Sequence, residues 1–332
     1  MAIDERTLIE TVFAPLAAGA PGAFALGDDA AVLNFSGNKD HVVTMDTLVE
    51  GVHFRKTDPA ETIAKKALRV NISDLTAKGA RPFAWFLSLA LPDTTTESWV
   101  CDFARGLAED QAEYGLDLYG GDTVVSPDGI VITVTMIGRC PAGTSVRRSG
   151  ALDGDLIYVS GTIGDGALGL LAGQADGQAN GLTGLGATDC QFLNQRYLLP
   201  DPPALLAAAI RTYAHAAMDI SDGLVNDLGL MCAASGTGAR VDIKSVPIST
   251  PARLALEAQG SHLFDILAGG DDYEVLVAVP PAKALEFERA AKRAGVAIAK
   301  IGAFTGKPKK VEFVNDDGKA VDLPRAMFRH FD

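Results

Sequence analysis

Six short acidic segments recur along the chain, each beside glycine, serine or threonine: Gly27-Asp28-Asp29, Met45-Asp46-Thr47, Ser73-Asp74, Gly120-Gly121-Asp122, Asp219-Ile220-Ser221-Asp222-Gly223 and Gly269-Gly270-Asp271-Asp272. In the first, two carboxylates stand between a glycine and an apolar run that reads as a strand. Neighbouring side chains on a strand point to opposite faces, so one acid can face a site while the other supports the loop. Taken singly, each aspartate is explained by a turn or a helix cap. Their recurrence at strand ends, on a helix face and in glycine turns points to one shared site built from Asp29, Asp46, Asp74, Asp122, Asp219 and Asp222. Carboxylates drawn one at a time from several elements suit Mg2+, a hard cation that keeps several waters and bridges to phosphates. Thiolate or imidazole ligands would suit other metals. The chain has only five histidines and four cysteines, and no Cys-x-x-Cys pair.

Other chemistries are missing. There is no Gly-x-x-x-x-Gly-Lys-Ser/Thr loop, no Gly-x-Ser-x-Gly elbow and no His-Glu-x-x-His pair. The glycine loop from Gly161 to Gly166 lacks dinucleotide spacing and reads as a tight strand-to-helix turn, with phosphate contact at that helix start left open. A net charge of -13 argues against nucleic acid, which needs a basic footprint. Divalent cations can still join an acidic protein to a polyphosphate. The longest apolar run, Phe83 to Leu91, is too short for a bilayer and reads as a buried strand. With no signal-like start and scattered cysteines, a cytoplasmic location is expected.

These groups must be held by elements that the pattern also shows. A length of 332 residues suggests two domains, with a boundary near Gly150, giving residues 1–149 and 150–332. In the first, helices are expected over Thr7 to Leu16, Pro59 to Gly79 and Glu97 to Tyr114, and strands over His41 to Asp46, Phe83 to Leu91, Leu116 to Tyr119 and Ile130 to Ile137. Ser36-Gly37-Asn38 reads as a turn, and Ser126-Pro127-Asp128-Gly129 as a hairpin turn. Asn71 and Asp74 share a helix face. In the second, strands are expected at 156–160, 239–243, 273–279 and 296–301. Helices are expected at 167–171, 202–213, 224–234, 251–258 and 282–294, with an insertion at 173–188. The alternation implies α/β layering (α+β in the mixed first half).

Arg148-Ser149-Gly150-Ala151, Asp46 to Phe54, Asn71 to Leu75, Gly120 to Thr123, Asp219 to Leu224 and Gly269 to Glu274, with Gly27 to Ala31, resemble the thiamine-monophosphate kinase family, in order over nearly the whole chain. That family is similar in fold to aminoimidazole ribonucleotide synthetase. The resemblance implies a two-domain fold of that kind, with an N-terminal mixed sheet and a C-terminal α/β domain. It implies direct, ATP-dependent phosphorylation of thiamine monophosphate to thiamine diphosphate with Mg2+, in a homodimer paired through its first domains. It implies metal ligation by Asp29, Asp46, Asp74, Asp122, Asp219 and Asp222 with Thr44 assisting. ATP would be contacted by Tyr114, Gly121, Asp122, Arg148 and Ser221, and thiamine monophosphate by His53 and Asp271; Asp122, Asp222 and Arg148 would carry the catalysis. Plainer roles exist: a surface cation for Arg148, a loop histidine for His53, packing for Tyr114 and a helix cap for Ser221. Two departures stand out. Asp271 replaces the usual glutamate, and the local match to a C-terminal aromatic position is Arg325, which leaves Phe328 as the candidate ring for cation–π contact with the thiazolium. An aminoimidazole ribonucleotide synthetase-like enzyme, a non-catalytic Mg-nucleotide or thiamine-phosphate binder, and a phosphohydrolase are the alternatives.

Overall fold

Alternating β-branched and polar residues make the first half a sheet, and an apolar-faced helix covers it. The structure is a computed structural model; it describes residues 24–25, 27–29, 31–34, 37–173, 182, 184–260, 262–308, 310–321 and 323. The expected helix at 7–16, the ring of Phe328 and most of the 173–188 insertion lie outside the described residues.

β1 (Ala31–Asn34) and β2 (Lys39–Val49) pair antiparallel. α1 (Ala60–Ala77) follows, then β3 (Arg81–Leu91), α2 (Glu97–Tyr114), β4 (Asp117–Val125) and β5 (Val131–Pro141). The five strands lie in the order β1-β2-β5-β3-β4. Ile63, Ala67, Leu68, Ile72 and Leu75 of α1 share one core with Trp85, Val134 and Met136 of the sheet.

Two expectations are corrected here. The Gly120-Gly121-Asp122 segment does not end a strand; it lies inside β4, where the ladder with β3 shifts register between Trp85 and Phe86. The glycines serve that irregularity, since a Cβ on Gly121 would fall 2.0 Å from Leu87 O. The 126–129 turn is not a hairpin, because β3 stands between β4 and β5.

The second half holds β6 (Leu156–Ser160), α3 (Asp165–Ala172), α4 (Ala187–Leu198), α5 (Ala207–Tyr213), β7 (Ala216–Ile220), α6 (Leu224–Ser235) and β8 (Gly238–Asp242). It continues with α7 (Thr250–Ala258), α8 (His262–Ala268), β9 (Glu274–Val279), α9 (Ala284–Ala294), β10 (Ile298–Thr305), β11 (Val311–Val314) and β12 (Ala320–Val321). Its mixed sheet runs β12-β11-β8-β10-β6-β9-β7. α4, α8, β11 and β12 were not anticipated. α4 buries only Leu193 and Tyr197, too few apolar residues for a helical stripe to stand out.

α1 is the element the two halves share. Arg69 donates to Pro200 O, Ser73 to Tyr273 O, and Lys78, just past the helix end, to Ala217 O. Among the described residues, no helix is long and apolar enough to cross a membrane.

Candidate functional site

Four elements bring carboxylates to one point. The loop before β1 carries Asp28 and Asp29, β2 carries Thr44 and Asp46 two residues apart on one face, α1 carries Asp74, and β7 carries Asp219. Ligand oxygens of Asp29, Asp74 and Asp219 lie within 4.8 Å of one another. Thr44 donates its hydroxyl to Asp74 Oδ2 and, at 3.3 Å, to Asp29 O.

The electrostatics are those of a site short of positive charge. Burial, then the charges of Asp29 and Asp46, pushes the Asp219 carboxyl up to about 8. Burial and the charges of Asp219, Asp46 and Asp29 hold Asp74 well above the usual carboxylate range. Burial and Asp29 push Asp46 up to about 6, against a hydrogen bond with Asp74. Asp29 goes the other way. Burial would raise it, but Lys78 and Arg148 outweigh that and hold it low. Lys78 Nζ lies 2.6 Å from Asp28 Oδ1 and 2.7 Å from Asp29 Oδ2, and Arg148 Nη2 pairs with Asp29 Oδ1. Carboxylates packed this tightly either keep protons or take a cation, and an all-oxygen donor set with one hydroxyl fits Mg2+.

The other anticipated residues divide. Asp222 is exposed beyond β7; its backbone N–H donates to Asp227 Oδ2 at 3.1 Å, and its Oδ2 accepts from Asn226 Nδ2 at 3.3 Å. Asp122 is exposed on β4, with Oδ1 accepting from Thr123 N at 2.9 Å. Gly121 lies next to it, against Leu87. Neither Asp122 nor Asp222 is in the three-carboxylate group. Tyr114 lines a separate cavity of about 920 Å³ with Arg81, Asp201 and Arg211, where none of the clustered aspartates stands. Ser221 does not cap α6, whose N-cap is Gly223. Instead Ser221 O accepts from Asp271 N at 2.9 Å and Ile220 O from Tyr273 N at 2.8 Å, which joins the 219–223 and 269–274 segments.

Asp271 faces Lys66 Nζ at 3.2 Å. His53 Nδ1 accepts from Val49 N at 3.0 Å, and His53 O accepts from the Tyr197 hydroxyl at 3.5 Å. Two buried cationic donors, Arg55 Nη1 and Arg148 Nε, meet no hydrogen-bond acceptor among the described residues, while Lys66 Nζ has its ion pair with Asp271. Of these, Arg148 stands on the acid cluster through Asp29, and an orphaned cationic donor there suits a phosphate oxygen. The glycine loop, by contrast, is already served: Asp272 accepts from Gly164 N at 2.7 Å and Gly166 N at 3.1 Å, which closes that helix start to a phosphate.

Sequence reasoning missed Lys66, Lys78, Tyr273 and Asp227. The signal for the lysines was present: Lys66, Val70, Asp74 and Lys78 follow one another at helical spacing on α1 and its cap.

Residues 27–140 match the model of the AIR synthase related protein N-terminal domain, and residues 153–315 that of the C-terminal domain. Fold and site together define a protein of the AIR synthase related class. A thiamine-monophosphate kinase of Caulobacter vibrioides is 41% identical over 89% of this chain and 82% of its own, and that of Escherichia coli K12 is 39% identical over 92% and 91%. The solved structure of AaThiL complexed with AMPPCP and TMP superposes with a TM-score of 0.84 at 30% identity, over 99% of this chain and 97% of that one. The chain belongs to the thiamine-monophosphate kinase family.

Proposed function

We propose that this protein passes the γ-phosphoryl group of ATP directly to the phosphate of thiamine monophosphate, giving thiamine diphosphate and ADP. The observation that carries the reading is the group of Asp29, Asp74 and Asp219 with the orphaned Nε of Arg148 held against it by Asp29. The complex of AaThiL with an ATP analogue and TMP supports it.

Phosphoryl transfer asks for in-line positioning and charge neutralisation more than for a protein nucleophile. Asp29, Asp46, Asp74 and Asp219 with Thr44 would hold Mg2+, and Asp122 and Asp222, which stand outside the three-carboxylate group, are assigned to metal as well. Mg2+ would supply charge neutralisation on the transferring phosphates. Arg148 presents its Nε toward phosphate while Asp29 fixes its Nη2. Asp122, Gly121 and Ser221 are assigned to the nucleotide side. His53 and Asp271 are assigned to the acceptor side, with Lys66 holding Asp271.

A homodimer is part of the reading. β4 is an edge strand, and Leu118, Tyr119, Val124 and Val125 on it are 50%, 62%, 50% and 74% exposed. An apolar edge of this kind invites a second copy. All four cysteines are free, in keeping with a cytoplasmic protein.

The deciding experiment incubates the protein with Mg-ATP and thiamine monophosphate and separates the products. Thiamine diphosphate together with ADP supports the assignment. ADP formed at the same rate without the acceptor identifies a phosphohydrolase, and binding without turnover a passive binder. Light scattering on a sizing column checks the dimer.

A further inference from the structure

We propose that Lys78 is a resident cation of the metal centre, its ammonium standing on the Asp28–Asp29 side where an ion would otherwise neutralise those two carboxylates. The inference rests on reading Asp29, Asp74 and Asp219 as metal ligands. Lys78 Nζ lies 2.6 Å from Asp28 Oδ1, 2.7 Å from Asp29 Oδ2 and 3.2 Å from Ala217 O, and its side chain is 3% exposed. Ala217 O accepts a hydrogen bond from the ammonium and the two carboxylates are its ion-pair partners, so the charge is balanced where it sits. Lys78 follows Asp74 by four residues at the end of α1, and its stem therefore leaves the helix on the Asp74 side.

The charge is distributed unevenly as a result. Both oxygens of Asp29 already face fixed cations, Lys78 on one and Arg148 on the other. Asp74 and Asp219 have no basic side chain within ion-pair distance among the described residues, so a divalent ion is drawn to them. The tethered ammonium holds Asp28 and Asp29 in place at any metal concentration, and the centre needs fewer exchanging ions to assemble.

The test is a Mn2+ titration of the full-length, nucleotide-free protein, read as loss of the free-ion electron paramagnetic resonance signal, beside the same titration of Lys78→Met. Wild type is expected to hold about one tight ion and Lys78→Met about two, with a larger Mn2+-induced rise in melting temperature for the variant. Equal counts and affinities in two folded proteins overturn the role of Lys78. No tight ion in either protein overturns the metal reading instead, and the inference with it. Should Lys78→Met fail to fold with or without Mn2+, the wild-type count decides: about one tight ion is what a resident ammonium requires, and about two or more overturns it.

Discussion

Lys66 of α1 holds its ammonium 3.9 Å from the ring centroid of Tyr197 on α4, and the Arg55 guanidinium covers the same ring at 4.6 Å. One buried aromatic ring thus orients two cations, one paired with Asp271 at 3.2 Å and the other with Asp58 at 2.7 Å. Each cation–π contact contributes about 0.5–2 kcal/mol. Tyr197→Leu is expected to raise KM for thiamine monophosphate roughly 10-fold while kcat stays within about 3-fold, since the ring orients the acceptor corner and not the phosphates of ATP. Tyr197→Phe keeps the ring and is expected to stay near wild type. Steady-state kinetics in the acceptor distinguish these outcomes, and an unchanged KM in the leucine variant would separate Tyr197 from the acceptor site.

Arg69 and Asp110 form a two-point ion pair between α1 and α2, at 2.6 and 2.8 Å, with Asp110 fully buried. Removing Asp110 leaves the largely buried Arg69 with only the exposed Glu113, at 3.4 Å, as counter-ion. Asp110→Ala is expected to lower the unfolding free energy by about 3–5 kcal/mol, and Arg69→Met/Asp110→Leu to recover most of that loss. Denaturant unfolding of the three proteins checks it; a double variant as unstable as the single one would mean that the Arg69 bond to Pro200 O carries the effect.

Much of the site could be read from the chain, for a physical reason. Asp29, Asp74 and Asp219 each lie where local chemistry marks a position: beside a glycine ahead of a strand, on the polar side of an apolar helix, and at the end of a short buried strand. What escaped depended on non-local pairing. The 126–129 segment has the residues of a tight turn, yet β3 is inserted between the strands it joins, and no local pattern encodes that. Lys66 and Lys78 stand at helical spacing with Asp74, but their burial comes from contacts with the second half, at Asp271 and Ala217. Asp271 shows a similar limit. Its φ of +71° is a left-handed conformation in which a short aspartate is more at ease than the glutamate of the family pattern, so the backbone accounts for the departure.

Gly166 sets the distance between the glycine loop and the acceptor corner. A Cβ there would fall 2.2 Å from Asp271 O, while the Gly166 N–H must still reach Asp272. Gly166→Ala is expected to push the 271–273 segment away from α3, with a loss of about 1–3 kcal/mol in stability from overpacking. Because Asp271 moves with that segment, KM for thiamine monophosphate should rise as well. Thermal melts and acceptor kinetics report the two effects; a stability loss with unchanged KM would show that Asp271 does not depend on this contact.

Asp219 ties the stability of the metal-free protein to pH. Its carboxyl, pushed up to about 8 by burial and by Asp29 and Asp46, compares with 3.8 for an ordinary aspartate. Below about pH 4 it is protonated whether the chain is folded or not, and its contribution to stability is fully present. Between about pH 4 and 8 the unfolded chain ionises while the fold keeps the proton, so stability falls as pH rises, by a few kcal/mol across the window. Asp74 is shifted in the same direction, whereas Asp29 is held low and contributes the opposite slope. In EDTA the melting temperature is therefore expected to decline from about pH 5 to about pH 9, with Asp219→Asn declining less and melting above wild type near pH 8. Saturating Mg2+ should reverse that order, because only the carboxylate binds the ion strongly, and turnover of the variant should drop roughly 100-fold or more. Parallel pH slopes for the two proteins in EDTA would show that the acid cluster is not what the metal-free fold pays to keep.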